Sequence, residues 1–358
     1  MSVFKDPQRN TWYAKFSYRN WKGEKKWVTK RGFATKREAT QYERDFLMKQ
    51  DGNVDMTFAD FVEVYQRDRH PRIRESTIVM KENIIFTKLV PFFGNRRLRD
   101  ISTNDVMQWQ NEMLAYRDPE SGKPYSHSYL KSIHSQLSAI FNHAIRFYKL
   151  KENPAAIVGN MGSEKGIQMK FWTKTEYLRF ADVMMDEPLA YYCFQVLYWC
   201  GIREGELLAL TLDDLDFEKK ILRINKTFQH LNGKDIISDP KTPKSNRIVV
   251  MPDFLVDELK DYVKMQYDAA PTDRLFPVTK SYLYHKMEKG CKRQSLPRIR
   301  VHDLRHSHVS LLIDMGYSAV AIADRMGHES IDITYRYAHL FPTVQTEMAI
   351  KLNSLMEG

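Results

Sequence analysis

The sequence predicts a multidomain α+β protein: a small basic β-sheet-plus-helix domain over 1–52, an all-α domain over 56–155, and a mainly α domain with a small antiparallel sheet over 168–358. Three observations carry this. Aromatic and polar residues alternate in part over 11–19, a strand pattern in a segment rich in lysine. From Thr57 to Asn153 the apolar residues recur at helical spacing. Past residue 173, one isoleucine- and valine-rich stretch sits among helical segments.

The first domain opens with Thr11–Arg19, turns at Trp21-Lys22-Gly23-Glu24, and returns through Lys25–Phe33. Thr35 caps a following helix, with Glu38 three positions on, and that helix runs to about Gln50. Asp51-Gly52-Asn53 is a polar break. The second domain starts with Phe58, Phe61, Val62 and Tyr65 on one helical face, and Pro71 interrupts. A helix over 75–90 is ended by Pro91 and Gly94, and Ser102-Thr103-Asn104-Asp105 opens another. Pro119, Gly122 and Pro124 mark a loop. The clearest helix places Ile133, Leu137, Ile140, Phe141, Ala144, Ile145 and Tyr148 on one face. Residues 155–170, with three glycines, read as a linker. Thr173 and Glu176 form a capping box, and a buried helix over Leu189–Cys200 leads to Gly201. Phe217–Phe228 and Lys234–Pro252 read as one small sheet, with helices at about 253–267, 280–293, 302–316, 318–326 and 331–338.

At 358 residues the chain has ample core for two or three domains. Its 43% apolar and 12% aromatic content excludes a disordered chain. The net charge is +10 and the pI about 9.2. Residues 1–50 hold 13 Lys+Arg against 5 Asp+Glu, so +8 of that +10 lies there. A solvated basic face would account for it. So would a membrane surface, but nucleic acid is the simplest polyanion. Lys15, Arg19, Lys25 and Lys26 on the first sheet are candidate DNA contacts, because such sheets can enter a groove. Lys131, His134 and Arg146 on the polar face of the long helix are further candidates, with Ser135, Ser138 and Asn142 beside them. The three cysteines lack Cys-x-x-Cys spacing, and no apolar run nears the ~20 residues of a membrane span, so a cytoplasmic protein is expected.

The chemistry gathers near the end of the chain. His302 and Arg305 stand at i and i+3 and share a helix face. Gly327-His328 follows, then Thr334-Tyr335-Arg336-Tyr337-Ala338-His339. Gly201-Ile202-Arg203-Glu204-Gly205-Glu206 brings a second arginine in an apolar setting. Two arginine forks suit the charge of a phosphoryl transition state without a metal. Tyr337 would be the nucleophile, and neighbouring arginines would favour its phenolate. Tyr335, two positions away, would face elsewhere, and with 19 tyrosines no single one carries weight alone. The leaving 5′-oxygen needs a proton, and Lys241 and Lys244 compete for that task on a hairpin-like stretch. The spacing of His302 and His306 also fits a zinc protease, with His308, His328 and His339 as further ligands. Arg305 between the two histidines, and Asp303 where such an enzyme has Glu, count against it.

The set Gly201 to Leu210, Lys241, His302-x-x-Arg305, Gly327-His328 and Thr334-x-x-Tyr337-x-His339 resembles the tyrosine recombinase (phage-type integrase) family in order and spacing. The first 150 residues resemble the arm-binding and core-binding domains of integrases from temperate phages and conjugative transposons of Gram-positive bacteria. The resemblance implies that Arg203 and Arg305 clamp the scissile phosphate and that Lys241, not Lys244, protonates the leaving oxygen. It implies that His302 assists proton transfer, His328 hydrogen-bonds the phosphate, Tyr337 forms a 3′-phosphotyrosine, and Glu206 orients the site. No metal or other cofactor is implied. The implied partners are double-stranded DNA at core and arm attachment sites, three further copies of the chain in a tetramer, an excisionase and a host DNA-bending protein. A tail helix with Val344, Met348, Ile350 and Leu352 would pack on a neighbouring subunit, as such tails often do in the family, or fold back on its own. A non-catalytic DNA-binding regulator with the same fold is the alternative, and it predicts no covalent product.

Overall fold

A computed structural model of the chain describes residues 2–7, 9–19, 25–51, 56–162, 169–240, 242–266 and 270–337. The chain divides into two compact units, Met1–Ile167 and Gln168–Gly358.

The first unit begins with an antiparallel sheet in the order β1 (Val3–Asp6), β2 (Thr11–Arg19), β3 (Lys25–Phe33), followed by helix α1 (Lys36–Asp51). The sequence reading had only the last two strands. β1 pairs along β2 from Val3 with Ala14 to Asp6 with Thr11, and a four-residue strand is too short to show a period. Ala14 and Phe16 face α1 and are buried, with Phe16 edge-on to Phe46 at 5.3 Å. The opposite face carries Tyr13, Lys15 and Ser17, set across from Arg31, Thr29 and Trp27. The expected cap of α1 is present: the Glu38 amide donates to Thr35 Oγ1 at 3.2 Å.

Helices α2 (Phe58–Arg69), α3 (Glu75–Ile84), α4 (Val90–Phe93), α5 (Thr103–Ala115) and α6 (His127–Tyr148) enclose an aromatic core that includes Phe58, Phe61, Phe93, Trp109 and Phe141. Pro91 does not end the helix read over 75–90. A π-helical turn, Ile85–Leu89, lets the Val90 amide reach back to Ile85, and the chain passes the proline into α4. The segment read as a linker starts instead as helix α7 (Pro154–Val158), capped by Asn153 and anchored by buried Ala155.

The second unit opens with α8 (Lys174–Met184), α9 (Pro188–Cys200) and α10 (Glu204–Leu207). The single small sheet of the sequence reading is two. Strands β4 (Leu215–Asp216), β5 (Ile221–Ile224) and β8 (Arg247–Val250) form one in that order; β6 (Thr227–Leu231) and β7 (Lys234–Ser238) form a separate hairpin. The hairpin turns on Asn232 and Gly233, both at positive φ (51° and 75°), the two-residue turn that matches the twist of its own strands. Helices α11 (Asp253–Lys264), α12 (Lys280–Gln294), α13 (Asp303–Asp314), α14 (Ala319–Met326) and α15 (Asp332–Tyr335) follow. The main core packs α8, α9, α11 and α12 through Tyr177, Phe180, Phe194, Leu255, Leu259 and Leu283. A second cluster joins Val309, Ile313, Ile322 and Met326 to Tyr337. That cluster ties the nucleophile candidate to the helix that carries Arg305.

Candidate active site

Arg305 is the centre of the site. It sits on α13 with 4% of its surface exposed. Its Nη1 donates to the Gly201 carbonyl at 2.7 Å and its Nη2 to the Met326 carbonyl at 2.5 Å. These carbonyls lie two residues before Arg203 and two before His328. One guanidinium therefore draws the two loops to itself, each by one of its five N–H donors. Burial lowers its pKa to about 9, Arg203 and Arg247 adding to the effect and Glu206 opposing it. It remains a cation at neutral pH.

Both loops depend on glycine. Gly201 ends α9 at φ 63°, and a Cβ there would stand 2.4 Å from His308 Cδ2. Gly327 ends α14 at φ 63°, and a Cβ there would stand 2.6 Å from the Lys244 carbonyl and 2.8 Å from Arg247 Cδ. Only a residue without a side chain lets these backbones approach so closely.

Arg203 caps α10 and is partly exposed. Its Nη1 donates to Glu206 Oε1 at 2.6 Å, while its amide donates to Glu206 Oε2 at 2.8 Å. Glu206 is 3% exposed and also receives Arg247, Nη2 to Oε2 at 3.0 Å and Nη1 to Oε1 at 3.1 Å. Burial would raise the Glu206 carboxyl. The Arg247 hydrogen bond and charge, helped by Arg203, bring it below its ordinary value instead. The sequence reading did not single out Arg247. A signal was available: in Arg247-Ile248-Val249-Val250, Arg247 shares the strand face of buried Val249, and a charge on that face needs a buried partner.

His328 is buried, and its Nδ1 lies 2.8 Å from Thr334 Oγ1. Burial and the nearby arginines push its pKa down to about 3, so the ring is neutral. His302 stands at the start of α13 with one side exposed, and its imidazole is likewise lowered, by burial and by His306. Tyr337 is 4% exposed, whereas Tyr335 is 53% exposed, so the two tyrosines do face apart. Helix α15 ends before Tyr337, which lies in a turn with its amide on the Thr334 carbonyl at 3.0 Å. The Tyr337 hydroxyl meets His306 Nδ1, not His302. The sequence reading expected the arginines to favour a phenolate. In the fold burial dominates and pushes the phenol up to about 12, although Arg305 and Arg336 pull the other way. The hydroxyl keeps its proton.

Lys241 and His339 lie outside the described residues, as do the tail residues Val344, Met348, Ile350 and Leu352. Lys244 donates to the Glu329 carbonyl at 3.1 Å. His302 and His306 meet edge-to-face at 5.3 Å, and among the described residues no three His, Cys, Asp or Glu side chains are arranged to hold a metal. A cavity of 220 Å³ opens beside Arg203 and Glu206, lined also by Thr227, Thr242, Ser245 and Gly327. A larger apolar cavity of 510 Å³, walled by Trp199, Phe254, Leu311 and Met315, is lined by none of Arg203, His302, Arg305, His328 and Tyr337.

Among the DNA-contact candidates, His134 is corrected. It is 3% exposed and its Nδ1 lies 3.1 Å from Gln110 Nε2. It belongs to the core of the helical domain, because α7 covers that side of α6. Asn153, the α7 cap, likewise occupies Ser138 Oγ at 3.0 Å and Asn142 Oδ1 at 2.8 Å. Arg146 is exposed and Lys131 half-buried. Lys15, Lys25 and Lys26 are exposed on the first sheet, and the Arg19 side chain lies outside the described residues. Lys15 and Lys25 hold their ammonium groups 6.0 and 5.3 Å from the ring of Trp27, which is itself 63% exposed.

A mainly α domain that buries Arg305, His328 and Tyr337 near the partly exposed Arg203 gathers groups suited to phosphoryl transfer. Residues 170–343 match the phage integrase family, residues 57–114 the phage integrase N-terminal SAM-like domain, and residues 2–50 an arm DNA-binding domain. The chain is 30% identical over 288 residues to the ICEBs1 integrase of Bacillus subtilis (strain 168), covering 76% of each. It is 25% identical over 365 residues to a tyrosine recombinase XerC-like protein of Caldanaerobacter subterraneus subsp. tengcongensis, covering 90% of each. In fold it resembles the Tn1549 transposon integrase bound to transposon right end DNA, with TM-score 0.68 and 20% identity over 85% of this chain and 100% of that one. It also resembles a lambda integrase tetramer bound to a Holliday junction, with TM-score 0.58 and 17% identity over 95% of each chain. The chain belongs to the phage integrase family. It is a tyrosine site-specific recombinase, an enzyme that cuts and rejoins DNA through a phosphotyrosine intermediate.

Proposed function

We propose that this chain integrates and excises a mobile element by attack of Tyr337 on one phosphodiester of a crossover site. Arg203 and Arg305 bind the non-bridging oxygens of that phosphate and meet the charge that grows in the transition state. His328, held through Nδ1 by Thr334, presents Nε2 to the same phosphate. His302 contacts it from the start of α13. Lys241 delivers the proton that the 5′-oxygen needs to leave. The 3′-phosphotyrosine conserves the energy of the broken bond, so resealing needs no ATP and no metal.

One observation carries this reading: Arg305 fastens the loops of Arg203 and His328 to the helix against which Tyr337 packs. Residues distant in sequence are thereby tied to one guanidinium.

The reaction proceeds in a tetramer on two duplexes, as the lambda integrase on a Holliday junction assembles. The first sheet holds arm sites through Lys15, Lys25 and Lys26, with Arg19 and, on the helical domain, Lys131 and Arg146 supporting the core contacts. The domains divide at 1–52, 56–155 and 168–358. An excisionase and a host DNA-bending protein direct the outcome, in the bacterial cytoplasm. Among the described residues no helix is long and apolar enough to cross a membrane.

The test is a nicked duplex copied from the end of the element that carries this gene, incubated with the protein and run on a denaturing gel. Wild type gives a covalent adduct, and chelator leaves its yield unchanged. Tyr337→Phe gives none. An adduct with Tyr337→Phe, or one that requires added magnesium or zinc, sinks the assignment.

A further inference from the structure

A buried phenol with a raised pKa cannot attack phosphorus until something takes its proton. Neither arginine can do so, since each is already a cation. His302 stands one helical turn before His306 at the start of α13. Among the described residues, the side chain that hydrogen-bonds the Tyr337 hydroxyl is His306, through Nδ1. We infer that His306 is the general base for Tyr337 in strand cleavage, and the acid that returns the proton on resealing. This rests on Tyr337 being the nucleophile.

The surroundings of His306 select the right tautomer. For Nδ1 to accept from the Tyr337 O–H, the ring proton must sit on Nε2. Nε2 faces Asp303 Oδ1 at 3.8 Å, and Asp303 is 2% exposed. A buried carboxylate on that side favours Nε2–H and stabilises the imidazolium once the second proton arrives. Asp303 is itself fixed. The Arg300 amide donates to its Oδ2 at 2.8 Å, and Arg300 Nη2 donates to its Oδ1 at 2.7 Å. His302 packs edge-on against the His306 ring at 5.3 Å and limits its rotation. Asp303, His306 and Tyr337 thus form a relay that ends in a nucleophile. Before attack His306 is neutral, since burial lowers its pKa, and a neutral ring is the form that can accept.

The step balances. The Tyr337 proton moves to His306 Nδ1, and the oxygen electron pair freed by it forms the O–P bond. The P–O5′ bond breaks, and the 5′-oxygen leaves with a proton from Lys241. In resealing the 5′-hydroxyl attacks, Lys241 recovers its proton, and His306 protonates the departing Tyr337 oxygen.

The experiment uses the full chain and the nicked duplex in two forms, one with the ordinary 5′-oxygen and one with sulfur in the bridging 5′ position. A thiolate leaves without protonation, so the sulfur substrate restores a variant that lacks the acid and does not restore one that lacks the base. His306→Ala should cleave both substrates at least about 100-fold more slowly than wild type, the usual scale of a general base. It should bind DNA as wild type does, and added imidazole should recover part of the rate. Lys241→Ala should be slow on oxygen and fast on sulfur. His306→Gln can still hold the hydroxyl but cannot take a proton, so it should be as slow as His306→Ala. If His306→Gln cleaves within threefold of wild type, or sulfur restores either His306 variant, His306 is not the base. Tyr337→Phe separates the two failures. An adduct there overturns the choice of nucleophile. No adduct there, beside full activity in His306→Gln, overturns only the relay.

Discussion

Arg247 shows what a single side chain can fix in this site. It does not line the 220 Å³ cavity itself, yet it bonds Glu206 twice, the Ser245 carbonyl, and the Arg325 carbonyl through Nε at 3.1 Å. Its side chain is 6% exposed and that of Glu206 4%. Removing one partner of such a pair leaves a buried charge with fewer partners, a loss of about 3 kcal/mol or more. Arg247→Ala should therefore lower the stability of the catalytic domain by that amount in urea titration and weaken cleavage through a loosened Arg203. An unchanged midpoint would show that Arg203 alone satisfies Glu206. His308 makes a pH prediction. It is 3% exposed, accepts from Arg325 Nε at 3.1 Å, and burial lowers its pKa to about 3. Its folded pKa lies below the unfolded value of about 6.5, so its contribution is present above that value and fades as pH falls toward the folded one. Between these limits the unfolded state binds the extra proton, and stability falls by about 1.4 kcal/mol per pH unit for this one group. His308→Gln keeps an acceptor for Arg325 and cannot be protonated. Its urea midpoint should decline less between pH 6.5 and 4.5 than that of wild type, and parallel declines would rule out His308 as a source.

At the scale of elements, the helix ends matter more than the helices. Thr57, Ser102 and Thr173 each accept an amide three residues on, and these starts were legible because a cap is local chemistry. Helix stops at Gly201 and Gly327 have a further task, since each presses backbone against a neighbouring element. Gly201→Ala must carry a Cβ at φ 63° and drive it into His308. We expect a destabilisation of about 2–3 kcal/mol from strain and overpacking together. Cleavage should fall more than DNA binding does, because Arg305 grips the Gly201 carbonyl. A Gly201→Ala protein with wild-type cleavage would mean that the loop relaxes freely. Other element features were hidden for physical reasons. The π-turn at Ile85–Leu89 shifts one hydrogen bond ahead of Pro91, which apolar spacing does not register, and β1 is too short to carry a period. His134 looked like a polar-face residue because helix α7, which covers it, is five residues long and sits in a glycine-rich stretch.

At the scale of the whole molecule, the concentrated positive charge of the first fifty residues is a statement about salt. Each phosphate neutralised in duplex DNA contributes about −0.9 to the slope of log affinity against log salt. Lys15 and Lys25 flank exposed Trp27 on the open face of the first sheet. Replacing both with Gln should make the slope for an arm-site duplex shallower by about 2 and leave the slope for a core-site duplex unchanged. Equal shifts on both duplexes would show that the sheet has no preference for arm sites. The sequence by itself determined the family and the three-part architecture, and it proposed Arg203, His302, Arg305, His328 and Tyr337 as one candidate set. Those depend on spacing along a helix, on caps and on composition, all of which are local. The tertiary structure alone decided who touches whom. It put His306 rather than His302 on the Tyr337 hydroxyl, gave Glu206 a second arginine, left the phenol protonated and withdrew His134 into a core. Hydrogen-bond partners and desolvation are set by residues far apart in the chain, and no spacing along the sequence encodes that distance.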